Sequence, residues 1–578
     1  MSLTSALQIG RSGLSAGQVG IQVAGNNIAN AATPGYSRQL LNLSPTPGSR
    51  TPPLGSVGRG VTIDNIRRQV DMALQARLWS SAGSGAAARQ QAQILSQIEA
   101  TLGELGDNSL SGELGEFFRV WSESANQTSA NGVVVQQGEK LASFMRGLRQ
   151  DLIDQRHQLD GQLSAAVEQA SALMDTVADL NRQIADAEVA GGTANSLRDQ
   201  RDEAVTQLSE YMDVAVVDHG TQGYDVLVGS TPVVLGGTSR GLQLKRVTVD
   251  GSTELSISTR DDASSIQISS GIIGGMLSGR SEEVDRILGQ LDQVAGQLIF
   301  QVNRLHGTGR NLAGINGATS TFGMTLAEQA MALNDPNNVS AAALPYGAKS
   351  GGFDVVVRNL STNTTQTVRV SIDLDGVTNT GTPGFDDDTS LEDIRTALSG
   401  VSGLTATITP EGRLSVQAQD GFDFSFSEDS SDVVAMLGLN SYFNGTDAAS
   451  IGVRSDLVSD PSRLTLGRIV DGAFIENGTS LRIAQLQDQT FESLGGQSIS
   501  ESWRSTGEAL GVKAAGAQTR ANAAGLVRES LMAQRDSFSG VSIDEESIDL
   551  INYQRLYQGS AKLISIVDEL TQQLINLV

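Results

Sequence analysis

The chain has 578 residues, with 40 Lys and Arg against 65 Asp and Glu and a formal net charge of -25. Apolar residues make up 39% and charged residues 18%, enough for real hydrophobic cores, so a wholly disordered chain is excluded. A surface this acidic lacks the positive footprint that nucleic acid or an anionic membrane requires.

There is no cysteine, so a disulfide framework, a thiolate metal site and a thiol nucleophile are all excluded. The 64 Gly, 11 Pro and 4% aromatic residues predict flexible turns and few aromatic pockets. The start, Met1-Ser2-Leu3-Thr4-Ser5-Ala6-Leu7-Gln8, lacks the basic region and continuous apolar core of a secretory signal. Nothing approaches the ~18 consecutive apolar residues of a membrane span. The reading is a protein with no membrane span, either cytoplasmic or exported without a cleaved signal.

The first element in the chain is the most informative. Leu3, Leu7, Gly10, Leu14, Gly17, Ile21, Ala24 and Ile28 follow alternating spacings of 4 and 3, a heptad seam. Gly10, Gly13, Gly17, Gly20 and Gly25 each cost up to ~1 kcal/mol of helix propensity relative to Ala, so this helix should form only when packed.

Residues 44–60, with Pro45, Pro47, Gly48, Pro52, Pro53 and Gly55, read as an extended arm. A helical stretch follows over roughly 66–212, clearest in the row Leu159, Leu163, Ala166, Ala170, Leu173, Val177, Leu180 and Ile184. From Val214 to Ile268 the period becomes two, with Asp250-Gly251 supplying a hairpin turn. Helix returns around 281–305. Residues 352–426 alternate again, as in Thr367–Ile372 and Phe422–Phe426, with a short helix at 390–399. Helical pattern resumes near 480.

The end mirrors the start. Leu550, Tyr553, Tyr557, Ser560, Ile564, Val567, Thr571, Leu574 and Val578 keep the same alternation, flanked by Leu556, Leu563, Leu570 and Leu577 at a stride of seven. Asp544, Glu545 and Glu546 sit in the first turn, where carboxylates complement the helix dipole. The nearest partner for this stripe is the N-terminal seam, and the next is a second copy.

The fold class is therefore mainly α with β-rich inserts. Terminal coiled-coil helices and a helical bundle are built from both halves of the chain, with nested β domains in the middle. The expected domains are 1–43 plus 540–578 for terminal assembly, 44–65 as the arm, 66–310 plus 456–539 as a helical core with a β-rich part at 213–270, and 311–455 as an inserted outer domain.

Chemical motifs are weak. His157, His219 and His306 lie far apart and lack the spacing of helical metal ligands, so surface or core roles are expected. Asp373-Leu374-Asp375-Gly376 has the start of a calcium loop but lacks its remaining ligands, and reads as a hairpin turn. Asp386-Asp387-Asp388 reads as a solvated acidic tip. There is no phosphate-binding Gly-rich loop with its Lys and no Gly-x-Ser-x-Gly elbow. No catalytic, cofactor or metal site is expected, and the chain does not read as an enzyme.

The segment Gly25-Asn26-Asn27-Ile28-Ala29-Asn30-Ala31-Ala32-Thr33-Pro34-Gly35-Tyr36-Ser37-Arg38-Gln39 resembles a signature of flagellar axial proteins. Its continuation Thr-Pro-Gly-Tyr-Ser-Arg-Gln resembles the hook-associated protein 1 (FlgK) family. The stretches Gly540–Glu546, Tyr553–Gln558, Ser560–Ile564 and Val567–Leu570 resemble the same family's end. Asn195–Glu203 and Asn303–Gly314 resemble its interior, while 311–455 matches only loosely.

The resemblance implies a structural subunit at the junction of hook and filament, whose terminal segments pair as a coiled coil. It implies an assembly interface at Leu3, Leu7, Leu14, Ile21, Ile28, Asn26, Asn27, Asn30, Pro34, Tyr36, Leu550, Tyr553, Tyr557, Leu563, Ile564, Val567, Leu570 and Leu574. Implied partners are identical subunits in a ring, the hook subunit, a second hook-associated junction protein or the filament side, and a cytosolic export chaperone at the C-terminal region. No cofactor is implied. The implied location is extracellular, in the flagellum, after export through the flagellar type III pathway. Competing readings are a hook or distal-rod subunit, a cytoplasmic coiled-coil scaffold, and an extracellular hydrolase carried on an axial frame.

Overall fold

A computed structural model describes residues 3–576 except 48–49, 52–54, 57, 105, 107, 127–130, 190, 250–251, 345 and 471. The chain forms two compact units. The first comprises Met1–Ile94, Gln158–Ser281 and Ala515–Val578, the second Leu95–His157 and Glu282–Ala514. The fold is mainly α with β-rich inserts.

In the first unit, an N-terminal helix (Leu3–Asn30) lies against a C-terminal helix (Ile543–Asn576). The two ends of the segment expected as an extended arm lie side by side. Gln39–Pro45 and Val61–Arg68, on either side of the Pro- and Gly-rich tip, form an antiparallel ribbon whose register shifts between Asn42 and Leu43. Pro52, Pro53 and Gly48 of that tip lie outside the described residues, as do Asp250-Gly251, Leu577 and Val578.

The unit's core joins the predicted helical row to small sheets. Leu163, Ala166, Ala170 and Val177, from the helix Asn131–Glu188, are buried with Leu208 of the helix Asn195–Tyr211. They meet Tyr224, Val226 and Val233 of a four-stranded sheet and Leu242 and Ile257 of a three-stranded one. Leu242–Val249 pairs antiparallel with Ser252–Thr259.

The second unit holds a β-rich core. Gly351–Asn359 runs between Thr364–Ile372 and Phe422–Ser427, antiparallel to both. Its inward residues Phe353, Val355 and Val357 pack with Phe424, Phe426 and the helix Leu391–Ser399. That helix starts with a capping box between Ser390 and Asp393, which satisfies two otherwise orphaned backbone donors. A separate aromatic group in this unit joins Phe117 and Trp121 of the helix Leu110–Ser124 to Tyr442 and Phe443.

Candidate assembly site at the paired termini

The N-terminal helix meets its partner through its smallest residues. Gly10, Gly13, Ala16, Gly17, Gly20, Val23, Ala24 and Asn27 are buried. A Cβ on Gly10 would lie 2.7 Å from Cγ1 of Ile564, and one on Gly17 would lie 2.9 Å from the backbone nitrogen of Tyr557. At Gly13 it would strike the Ser560 hydroxyl, and at Gly20 the ring of Tyr553. Each glycine therefore admits one side chain or backbone segment of the opposing helix.

The seam thus differs from the expected row in one respect. Gly10, Gly17 and Ala24 face the partner as expected, but Gly13, Gly20 and Asn27 complete the seam. Leu7 is 44% exposed, and Leu3, Leu14, Ile21 and Ile28 are half-buried on its flanks. The physical reason is axis separation: helices this close have no room for a Leu between them. On the C-terminal helix Val567 is buried, and Leu550, Tyr553, Leu563 and Ile564 are half-buried. Tyr557, Leu570 and Leu574 remain exposed.

Where the two helices meet the ribbon, the motif residues form a polar lock. Asn27, 1% exposed, donates from Nδ2 to the Glu546 carboxylate and to the Gln39 carbonyl, both at 2.9 Å. Its Oδ1 accepts from the Tyr36 hydroxyl at 2.7 Å and from the Gln39 backbone N–H at 3.0 Å. All of its hydrogen-bonding capacity is used. Asn26 and Asn30 bond to each other at 3.0 Å on the exposed side, and Asn26 reaches the Tyr36 hydroxyl at 3.3 Å.

Tyr36 is delivered there by a tight turn. Its N–H bonds to the Thr33 carbonyl at 3.2 Å, with exposed Pro34 and then Gly35, at φ +79°, in the middle. Pro followed by a left-handed residue is the type II turn pattern, and the second position requires glycine. Burial, and then the negative charges of Asp199 and Glu546, push the Tyr36 hydroxyl up to about 12, so it remains a donor at neutral pH.

Sequence reasoning assigned Arg38 no separate role. Its guanidinium bonds Glu546 at 2.7 Å, Glu545 at 2.8 Å and Asp549 at 3.4 Å, and the Glu546 side chain is 3% exposed. The acidic first turn therefore does more than complement the helix dipole. A second ion group lies beside it: Arg68 bonds Asp199 and Asp202, each at 2.8 Å, and Ser37 N–H reaches Asp199 at 3.4 Å. Burial raises the Asp199 carboxyl against the opposing pull of Arg68. Burial also works against the Arg68 charge, but Asp202 and Asp199 outweigh it and hold the group above its ordinary value. The motif stretches Gly25–Gln39, Asn195–Glu203 and Gly540–Glu546 carry Arg38, Asp199, Asp202 and Glu546, but no local period reveals how they pair.

In the second unit, the motif Asn303–Gly314 performs structural bonding. Asn303 accepts from Tyr442 and Phe443 N–H at 2.9 and 2.8 Å. His306 Nδ1 lies 2.7 Å from the Asn440 carbonyl, and Nε2 accepts from Thr465 N–H at 3.2 Å, which fixes the neutral tautomer. Complete burial lowers its pKa to about 4. His157 is exposed, and His219 pairs with Asp225 at 3.0 Å on the surface.

Comparison with known proteins follows the same geography. Residues 95–320 match the family described as flagellar hook-associated protein FlgK helical domain. Residues 7–36 match a flagella basal body rod protein family, and 532–577 the C-terminal family of flagellar basal body rod FlgEFG proteins. The flagellar hook-associated protein 1 of Escherichia coli (strain K12) is 26% identical over 590 residues, covering 100% of both chains. That of Bacillus subtilis (strain 168) is 24% identical, covering 99% of this chain and 97% of its own. A solved structure of the flagellar hook junction protein FlgK from Burkholderia pseudomallei covers 80% of this chain and 100% of its own, at 15% identity and TM-score 0.49. Among the described residues no helix is long and apolar enough to cross a membrane. Full-length similarity to two curated relatives, the helical-domain match and the terminal rod-protein matches together make the chain similar along its whole length to flagellar hook-associated protein 1.

Proposed function

We propose that the chain is a structural subunit of the bacterial flagellum that forms the junction between hook and filament through packing of its N- and C-terminal helices. The observation that carries this reading is the lock. Residues that mark the axial-protein signature, Asn27 and Tyr36, and residues of the C-terminal motif, Glu545 and Glu546, meet at one point and hold the two ends of the chain together. With the glycine seam consumed inside the chain, Leu7, Tyr557, Leu570 and Leu574 point away from it and are free to meet neighbours.

The partners in this reading are identical subunits in a ring, the hook subunit on one side, and a second junction protein or the filament on the other. A cytosolic export chaperone holds the C-terminal region before the chain leaves through the flagellar type III pathway without a cleaved signal. The role is mechanical, exercised by packing.

Purified flagella carrying an epitope on the chain provide the test. Label confined to the point where hook passes into filament is the expected result, and a deletion strain should make hooks while releasing flagellin into the medium. Label along the hook, along the filament or only inside cells overturns the assignment.

A further inference from the structure

In the second unit, the strand Thr364–Ile372 ends at Asp373, and the helix Leu391–Ser399 begins after Ser390. The loop between them folds back on itself. One carboxylate oxygen from each of Asp373, Asp375 and Asp388 lies within 4.8 Å of the others. The sequence separates these residues into a turn and an acidic tip; the fold brings them together.

Proximity of carboxylates alone means little on so acidic a protein. Two further observations point to a ligand. First, Asp388 is 4% exposed, yet no ion pair reaches it, Asp373 or Asp375 among the described residues. No Lys, Arg or His occurs between 370 and 394, and the flanking Arg369 and Arg395 are engaged by Asp354 and Glu392. A buried carboxylate without a counter-charge is strongly unfavourable unless something positive compensates it. Second, three buried oxygens here, one each on Asn334, Asp387 and Asp388, have no donor. Asp388 Oδ2 accepts from Asn334 Nδ2 at 2.7 Å and from Gly376 N–H at 3.0 Å, which fixes the carboxylate. Its Oδ1 and the Asn334 Oδ1 are left without a hydrogen-bond partner.

We propose that Asp373, Asp375 and Asp388, with the side-chain oxygen of Asn334, form a calcium site that ties the loop to the β core. The donors are all oxygen, which selects a hard cation over zinc or copper. Ligands on opposite sides of Ca²⁺, each at about 2.3–2.6 Å, stand at most about 5 Å apart, so the 4.8 Å limit fits calcium. Three carboxylates and an amide oxygen suit the many-liganded Ca²⁺, whereas Mg²⁺ keeps several of its own waters and is held by one or two carboxylates. The exposed Asp373 and Asp375 leave room for water to complete the shell.

The test is calorimetric titration of CaCl2 into the chelator-washed full-length protein, with MgCl2 in parallel. One saturable calcium site is expected, with Kd on the order of 10⁻⁴–10⁻³ M, the range of extracellular modules. Asp388→Asn should abolish it. Because that variant also alters the bonds to Asn334 and Gly376, Asp375→Asn is the second probe: Asp375 is exposed, and an amide oxygen can still accept from the Val377 N–H. It should weaken calcium at least tenfold with an unchanged circular dichroism spectrum. Calcium should also slow proteolytic cleavage between 376 and 387 in the parent chain alone. No saturable calcium heat, affinity unchanged in Asp375→Asn, or equal affinity for magnesium overturns the proposal.

Discussion

Arg38 and Glu546 form the pair on which the lock depends, because Glu546 is almost fully enclosed and Arg38 is its only cationic partner among the described residues. Removing Arg38 leaves a buried carboxylate with Asn27 as its remaining side-chain donor. Arg38→Ala should therefore cost about 3 kcal/mol, toward the low end for breaking a buried pair. Denaturant unfolding of the first unit is the measurement, and Arg38→Met combined with Glu546→Gln should recover most of the loss. Equal losses in the single and double variants would show that the ion pair does not matter. At His306 the expected effect is one of pH. The folded state keeps the ring neutral down to about 4, whereas the unfolded chain protonates it near 6.5. Protons are thus taken up on unfolding between those values, so the stabilisation is fully present above about pH 6.5 and is lost as pH falls toward 4. The shift corresponds to roughly 3 kcal/mol. The second unit should weaken by that order between pH 7 and pH 4, and His306→Gln should flatten this part of the profile while lowering stability at neutral pH. An identical pH slope in the variant would exclude His306 as its source.

At the scale of elements, both terminal helices, the alternating strands at 367–372 and 422–426 and the helix at 390–399 are legible as periodicity. The choice of seam is only half legible. A hydrophobic pattern weights Leu7, Leu14, Ile21 and Ile28, whereas a close helix pair selects smallness and brings in Gly13, Gly20 and Asn27. Glycines that read as a helix penalty are also the contact surface, and pattern alone does not reveal that second role. The lock was legible as motif residues but not as pairings, because Arg38 and Glu546 are 508 positions apart and no local period connects them. Gly17→Leu tests the seam directly. Its side chain would run into the backbone of Tyr557, so the helices must separate, and overpacking of this kind costs about 1–3 kcal/mol or more. Limited proteolysis should release both ends in that variant while sparing the β-rich unit. At Gly25 an added Cβ meets nothing within 4 Å, so Gly25→Ala should resist protease like the parent.

For the whole molecule, the proposed function assigns the buried face of the terminal helices to folding and their exposed face to assembly. Ile564 packs on Gly10, so Ile564→Asp should destabilise the free chain. Leu574 is 54% exposed, so Leu574→Asp should leave the melting temperature within a degree or two of the parent. In cells it should nonetheless block junction formation, because burying a carboxylate against a neighbour costs several kcal/mol in every subunit. Normal filaments on Leu574→Asp would remove that face from the interface.

The lock also has a consequence for how the chain is made. Asn27 and Arg38 are synthesised 519 and 508 positions before Glu546. A prematurely terminated product can build its β-rich unit yet has no means of closing its ends. A product that stops before Glu546 therefore leaves Asn27 and Arg38 without the carboxylate that both of them bond.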